Sequence, residues 1–168
     1  MHDPALLDAL EKLVRLPFVG SVFRFTPGAR PPDRENVTGA RWNPTGVAAI
    51  YTALQRDTAM AEFHHLVSVY APPPSRGNFS LYTLQLSVTD VLDLGNHRIM
   101  DDLGITPAEL RADDFSRCQK VGAAAAWLGA GGIIVPSARR EGGTNLVIFT
   151  QQHSPDFEIL AEEALAVP

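Results

Sequence analysis

The spacing of apolar residues along the chain predicts a mixture of helices and strands. Leu6, Leu7, Leu10, Leu13 and Val14 recur with helical spacing after an N-cap acid and a proline at positions 3 and 4, and the proline at 17 is expected to end this helix. Further helices are predicted from 57 to 69, from 106 and from 113 to 128. Strands are predicted at 18–25, 47–52, 79–88, 133–135 and 146–150, with short extended pieces at 91–94 and 157–160. The order indicates one α+β domain over residues 1–168.

Proline- and glycine-rich stretches predict the connections between these elements. The runs 27–36, 39–46 and 72–77 are predicted to be loops. The glycines at 129–132 precede a strand instead of opening a helix after one, which indicates a helix C-cap and not a dinucleotide fingerprint. The 139–143 run, with two arginines, a glutamate and two glycines, favours a solvated turn over a loop that folds onto a ligand.

Composition narrows the class of protein. The chain has 168 residues, 45% hydrophobic and 20% charged, as expected for one globular domain. A formal net charge of -5 argues against direct binding to nucleic acid, since phosphate neutralisation supplies most of that affinity. The single Cys118 allows no disulfide within the chain, and charged residues interrupt the apolar N-terminal stretch. We therefore expect a cytoplasmic protein without a signal peptide or a membrane span.

The most informative polar residues lie between positions 39 and 62. Arg41 lies where a loop meets a strand, Tyr51 late on that strand, and Glu62 early in the following helix, so the last two residues can meet in one cleft. Taken singly, each residue has a plainer interpretation: a solvated glutamate, a surface arginine and a core tyrosine. The adjacent His64 and His65 point to different faces of a helix, and no metal site is predicted.

Taken together, these residues resemble the RES domain, a family of toxins from bacterial toxin–antitoxin pairs. The resemblance covers about residues 20–150 and assigns no role to residues 1–18. It rests on Arg24 in Phe-Arg-Phe, the Gly-Ala-Arg-Trp-Asn-Pro-x-Gly stretch at 39–46, Tyr51, the Ala-Glu pair ending at Glu62, and Ser137 in Val-Pro-Ser. It implies an ADP-ribosyltransferase-like mixed β core flanked by helices, and cleavage of NAD by phosphorolysis or hydrolysis. It also implies an Xre-like antitoxin as partner.

The chemistry of NAD cleavage gives a role to five of the matched residues. Glu62 is expected to stabilise positive charge on the ribose, and Arg24 and Arg41 to hold the phosphates. Tyr51 is expected to stack on the nicotinamide ring, and Ser137 to donate a hydrogen bond to a phosphate or to the nucleophile.

Catalysis would thus depend on Glu62, Arg41 and Tyr51, with NAD as substrate and not as cofactor, and with inorganic phosphate as a possible co-substrate. Two alternatives stay open: a protein ADP-ribosyltransferase, and a non-catalytic module that binds a nucleotide or an antitoxin. The sequence leaves the oligomeric state open, including a homo-oligomer.

Overall fold

A computed structural model describes residues 1–28, 30–69, 78–151 and 154–167. The helices of this part of the chain are α1 (Pro4–Glu11), α2 (Arg56–Val69), α3 (His97–Asp102), α4 (Pro107–Arg111) and α5 (Ser116–Trp127). The strands are β1 (Arg15–Pro27), β2 (Ala49–Ala53), β3 (Phe79–Asp93), β4 (Gly132–Pro136), β5 (Thr144–Phe149) and β6 (Asp156–Leu165). The loop predicted at 72–77 lies outside the described residues.

The strands join into one mixed sheet that closes on itself. β1 pairs antiparallel with β3 along almost its whole length and meets β2 at Phe23 and Ala53. β2, β5 and β4 follow in antiparallel order, and β4 returns parallel to the end of β3. These five strands form a closed ring. β6 lies outside the ring and pairs with β3. The prediction of an α+β fold with a sheet core flanked by helices is confirmed.

β3 changes partners on one of its edges. Residues 79–87 pair with β6 and residues 91–93 with β4, while the opposite edge stays paired with β1. Asp90 lies between the two partners with a φ of 56°, and its carbonyl accepts the N–H of Gly131 at 3.0 Å. A Cβ at Gly131 would lie 2.1 Å from the carbonyl oxygen of Thr89, so only glycine fits there. The break predicted between 88 and 91 is therefore a change of partner within one strand.

The start of the chain differs from its prediction. α1 ends at Glu11 instead of at Pro17, and Pro17 lies inside β1. The β1–β3 register shifts between Leu16 and Phe18, so the proline, which has no N–H, stands where the ladder is already interrupted.

Two other helices also differ from the prediction. α3 was missed because its six residues are too few to show a helical period; Asn96 caps it by accepting the N–H of Arg98 at 2.8 Å. α5 begins at Ser116, later than the predicted Asp113. The adjacent Asp114 accepts the Ser116 N–H at 2.9 Å.

The small residues of α5 allow the 39–46 loop to approach the helix closely. Trp42 is 2% exposed, and a Cβ at Gly122 would lie 1.7 Å from the carbonyl oxygen of Trp42. Gln119 supports the same contact by donating to the carbonyl of Ala40 at 2.9 Å. The loop that carries Arg41 is therefore positioned by the backbone of α5. Within the described residues, no helix has the length and apolar character that a membrane span needs.

We expect Gly122→Ala to destabilise the protein. Helix propensity alone favours alanine by about 1 kcal/mol. The new methyl group would overlap the Trp42 carbonyl, and overpacking of this kind costs about 1–3 kcal/mol, occasionally more. Urea unfolding measures the net sign, with Lys120→Ala on the exposed side of the same helix as control. A more stable Gly122→Ala variant would show that the loop is not held against α5.

Candidate active site

The carboxylate of Glu62 on α2 lies at the centre of the candidate site. Its Oε1 accepts a hydrogen bond from Ser137 Oγ at 3.1 Å and one from Asn145 Nδ2 at 2.5 Å. Ser137 follows β4, and Asn145 lies on β5 opposite Val135, so antiparallel pairing brings both donors to one place. No described residue hydrogen-bonds Oε2. One oxygen of the carboxylate is thus fixed by the protein, and the other has no hydrogen-bond partner among the described residues.

Burial and charge act on Glu62 in opposite directions. Burial raises the pKa of Glu62, because desolvation penalises the charged form. The hydrogen bonds from Asn145 and Ser137 and the positive charges of Arg139 and Arg41 lower it, but burial prevails. Burial therefore favours the neutral form of Glu62, while the hydrogen bonds and positive charges around it favour the ionised form.

Asn145 was not among the residues predicted from the sequence. It is 8% exposed, and its Oδ1 is buried without a hydrogen-bond partner among the described residues. Position 145 directly precedes the strand predicted at 146–150, so a buried amide there was not distinguished from a turn residue. The available signal was a polar side chain next to an otherwise apolar strand that is central in the sheet.

Ser137 begins a tight turn between β4 and β5. Its Oγ accepts the backbone N–H groups of Arg139 at 3.1 Å and Arg140 at 3.2 Å, and its single proton is donated to Glu62. The turn predicted for 139–143 is present and exposes Glu141 and Gly142, whereas Arg139 and Arg140 are half-buried and Gly143 is buried. A donor role of Ser137 towards a phosphate or a nucleophile stays a prediction, and in this structure the hydroxyl orients Glu62.

Arg41 contributes charge from a position fixed by the backbone. Its Nη1 donates to the carbonyls of Leu110 at 2.5 Å and Ala112 at 3.0 Å, and its guanidinium lies 4.4 Å from the ring centroid of Phe115. Burial lowers the pKa of Arg41, with the positive charge of Arg139 acting in the same direction. Arg41 therefore lies within electrostatic reach of Glu62, with one end of its guanidinium already bonded.

Tyr51 holds the turn that follows Arg41. Its hydroxyl donates to Asn43 Oδ1 at 2.7 Å and accepts the backbone N–H of Trp42 at 2.9 Å. Burial raises the pKa of Tyr51 well above its ordinary value, so the phenol stays protonated. Stacking on a nicotinamide ring stays a prediction. The contacts in the structure make Tyr51 a positioning residue for the 41–43 turn.

Arg24 lies on β1 and bonds to backbone groups instead of to the Glu62 cluster. Its Nη1 donates to the carbonyl of Tyr51 at 2.7 Å and its Nη2 to the carbonyl of Arg34 at 3.0 Å. Burial lowers the pKa of Arg24 to about 10, and its Nε is buried without a partner among the described residues. The structure thus brings Glu62, Ser137 and Arg41 together. Arg24 is connected to them through its hydrogen bond to the Tyr51 carbonyl. The phosphate role of Arg24 stays a prediction.

A cavity of about 450 Å³ opens beside Ser137. Its walls are the α3–α4 segment on one side and the 136–142 turn on the other. The lining residues are His97, Met100, Asp101, Ile105, Thr106, Pro107, Leu110, Arg111, Pro136, Ser137, Ala138, Arg139, Arg140, Glu141 and Gly142. Its volume falls within the range of small-molecule sites, which is about 300–1,000 Å³.

Comparison with known proteins identifies the class to which this fold and this cluster belong. A family model described as the RES domain matches residues 13–167, so the chain belongs to the RES domain family. The resemblance stated from the sequence is thereby confirmed.

Two mycobacterial proteins are similar to the chain. The NAD(+) phosphorylases MbcT of Mycobacterium bovis and Mycobacterium tuberculosis are 33% identical to it over 114 residues, 66% of this chain. That stretch spans only 60% of the length of those relatives.

A solved structure is also similar over nearly the whole chain. The crystal structure of the M. tuberculosis MbcT–MbcA toxin–antitoxin complex matches with a TM-score of 0.81 and 28% identity, covering 97% of this chain and 93% of the other.

We expect Tyr51→Phe to be costly although the ring is kept. The substitution leaves the Trp42 N–H and the Asn43 Oδ1 without their partner, and an unsatisfied buried polar group costs about 1–3 kcal/mol. Denaturant unfolding measures the loss. Tyr82→Phe is the control, because its hydroxyl donates to the exposed Glu162 and its removal leaves no buried partner. Equal stability of the two variants would rule out the positioning role of the Tyr51 hydroxyl.

Proposed function

We propose that this chain cleaves the nicotinamide–ribose bond of NAD and transfers the ADP-ribosyl group to inorganic phosphate. The observation that carries the proposal is the Glu62 carboxylate, which Ser137 and Asn145 fix through Oε1 while none of the described residues bonds to Oε2. Membership of the RES domain family supports the proposal, as does the similarity to the NAD(+) phosphorylases MbcT.

The proposed reaction uses the site as follows. The bond between ribose C1 and the nicotinamide nitrogen breaks, and its electron pair leaves with nicotinamide, which becomes neutral. Positive charge builds on C1 and the ring oxygen, and the Glu62 carboxylate stabilises it from Oε2. An oxygen of inorganic phosphate forms the new bond to C1, giving ADP-ribose 1-phosphate. Water in place of phosphate gives ADP-ribose and releases a proton.

The proposal includes a role as the toxin of a toxin–antitoxin pair, with a protein antitoxin as partner. The MbcT–MbcA structure is a toxin–antitoxin complex, and its structural match with this chain covers nearly the whole chain. An Xre-like antitoxin is the finer form of the proposal and rests on the family resemblance. The formal net charge of -5 fits a protein partner better than DNA.

Nicotinamide release from NAD tests the activity directly. We expect the purified protein to release nicotinamide, with a rate that rises with added inorganic phosphate. A rate independent of phosphate would mean hydrolysis. Labelled ADP-ribose found on protein would mean a protein ADP-ribosyltransferase, and no release at all would leave only a binding module.

Glu62→Gln should separate catalysis from folding. Glutamine keeps an oxygen that accepts from Ser137 and Asn145 but removes the charge, so we expect nicotinamide release to fall by about 10²–10³-fold. Because the folded pKa of Glu62 is raised, its ionised form costs stability above that pKa, and glutamine removes this cost. We therefore expect a thermal midpoint at neutral pH no lower than that of the wild type. Glu158→Gln on the exposed face of β6 is the control.

The raised pKa of Glu62 also predicts the pH dependence of turnover. Only the ionised carboxylate stabilises a positive ribose, so kcat/KM, which reports the free enzyme, should decline as the pH falls through the raised pKa. Glu62→Gln should lose this acidic limb. An acidic limb that persists in the glutamine variant would assign it to another group.

The partner proposal is tested with the protein encoded beside this chain. We expect the two proteins to purify together after co-expression, and the complex to release nicotinamide more slowly than the isolated chain. A neighbouring protein that neither binds nor inhibits would overturn the pairing while leaving the NAD-cleaving activity untouched.

A further inference from the structure

The arginines around the site differ in how many of their donors are already bonded. Both terminal nitrogens of Arg24 donate to backbone carbonyls, and Nη1 of Arg41 donates to two carbonyls. Arg140 donates to Thr58 at 3.4 Å and faces Asp57 at 3.9 Å. None of the described residues accepts a hydrogen bond from the guanidinium of Arg139. Of the four, Arg139 therefore has the most hydrogen-bonding capacity left for a ligand.

The turn that carries Arg139 is closed by backbone hydrogen bonds and packs on α2. The Ser137 N–H donates to the carbonyl of Gly143 at 2.8 Å, and the Gly143 N–H donates to the carbonyl of Arg140 at 3.0 Å. A Cβ at Gly143 would lie 2.5 Å from Thr58 Oγ1, so the turn packs directly on α2, the helix that carries Glu62. The backbone of Arg139 is thus fixed relative to the carboxylate.

Arg139 lies at the boundary between the Glu62 cluster and the cavity. Its backbone N–H donates to Ser137 Oγ, which donates to Glu62, and Arg139 is one of the residues that line the cavity. Its positive charge acts on Glu62, Arg41 and His65, whose pKa values it lowers. The far wall of the cavity includes the apolar side chains of Met100, Ile105 and Leu110.

Building on the proposed function, we propose that Arg139 binds a phosphoryl oxyanion of the substrates at the mouth of the cavity. A half-buried guanidinium without a hydrogen-bond acceptor has lost part of its hydration, and a phosphoryl group restores its bonds with two oxygens in the plane of the guanidinium. The chain carries a formal net charge of -5, so an anionic ligand needs local positive charge to enter this site. The oxyanion comes from the pyrophosphate of NAD or from the inorganic phosphate that accepts the ADP-ribosyl group.

Arg139→Ala and Arg139→Lys test this assignment, with Arg98→Ala as the matched control. Arg98 is exposed on α3 and does not line the cavity, so its removal changes the net charge equally. Loss of a charge-assisted contact predicts a rise of about 10–100-fold in the KM for one substrate. A higher KM for NAD identifies the pyrophosphate, and a higher KM for phosphate identifies the co-substrate. Lysine should restore only part of the loss, because it lacks the planar fork.

Calorimetry separates this inference from the proposed function. ADP-ribose and inorganic phosphate serve as probes, and Arg139→Ala should weaken the binding of at least one of them about 10–100-fold. Wild-type protein that releases no nicotinamide overturns the proposed function, and the calorimetric result still decides the role of Arg139. Unchanged KM and probe affinities in Arg139→Ala, or binding of neither probe by the wild type, would overturn the assignment. A loss confined to kcat would also overturn it, because Arg139 would then act through the charge of Glu62.

Discussion

The candidate site depends on keeping one half-buried carboxylate ionised. Burial raises the pKa of Glu62, so every group that favours its charged form has to be supplied by the surrounding fold. Two neighbouring strands supply the hydrogen-bond donors, because the β4–β5 register places Asn145 opposite Val135, two residues before Ser137. Two loops supply the positive charges of Arg41 and Arg139. The register of the paired strands therefore positions the hydrogen-bond donors around Glu62, in addition to the part the strands play in the core.

A second set of polar contacts, away from the carboxylate, fixes the loop of Arg41. The Tyr51 hydroxyl bonds to both Trp42 and Asn43, and Gly122 allows α5 to lie directly against the Trp42 carbonyl. Neither contact requires a ligand. Packing and hydrogen bonding to the backbone therefore account for several residues of the Gly-Ala-Arg-Trp-Asn stretch. Their place in the motif follows from holding the turn that carries Arg41.

The sequence predicted those features that depend on neighbours along the chain. Hydrophobic spacing located α2 and most of β2, β3 and β5, and the motif singled out Glu62, Arg41, Tyr51 and Ser137 as candidate site residues. It did not predict the helix over 97–102, which is too short to show a helical period, or the passage of Pro17 through a strand, which depends on the pairing of β1 with β3. Asn145 was missed because its amide has a role only where a distant helix brings a carboxylate to it.

The arginines show why a residue type in a motif does not by itself assign a chemical role. A guanidinium provides both a charge and a set of directed donors, and the two can be used separately. Both terminal nitrogens of Arg24 donate to backbone carbonyls, and so does Nη1 of Arg41. What each arginine offers most directly to the site is therefore its charge. Charge acts over several ångströms and needs no exact geometry, whereas a phosphoryl group is held by donors that point at it. Arg139, whose guanidinium donates to none of the described residues, lies in a turn that the sequence pattern indicated was solvated. The donors of Arg139 are available because no described neighbour accepts a hydrogen bond from them. Only the folded arrangement of the described residues reveals this.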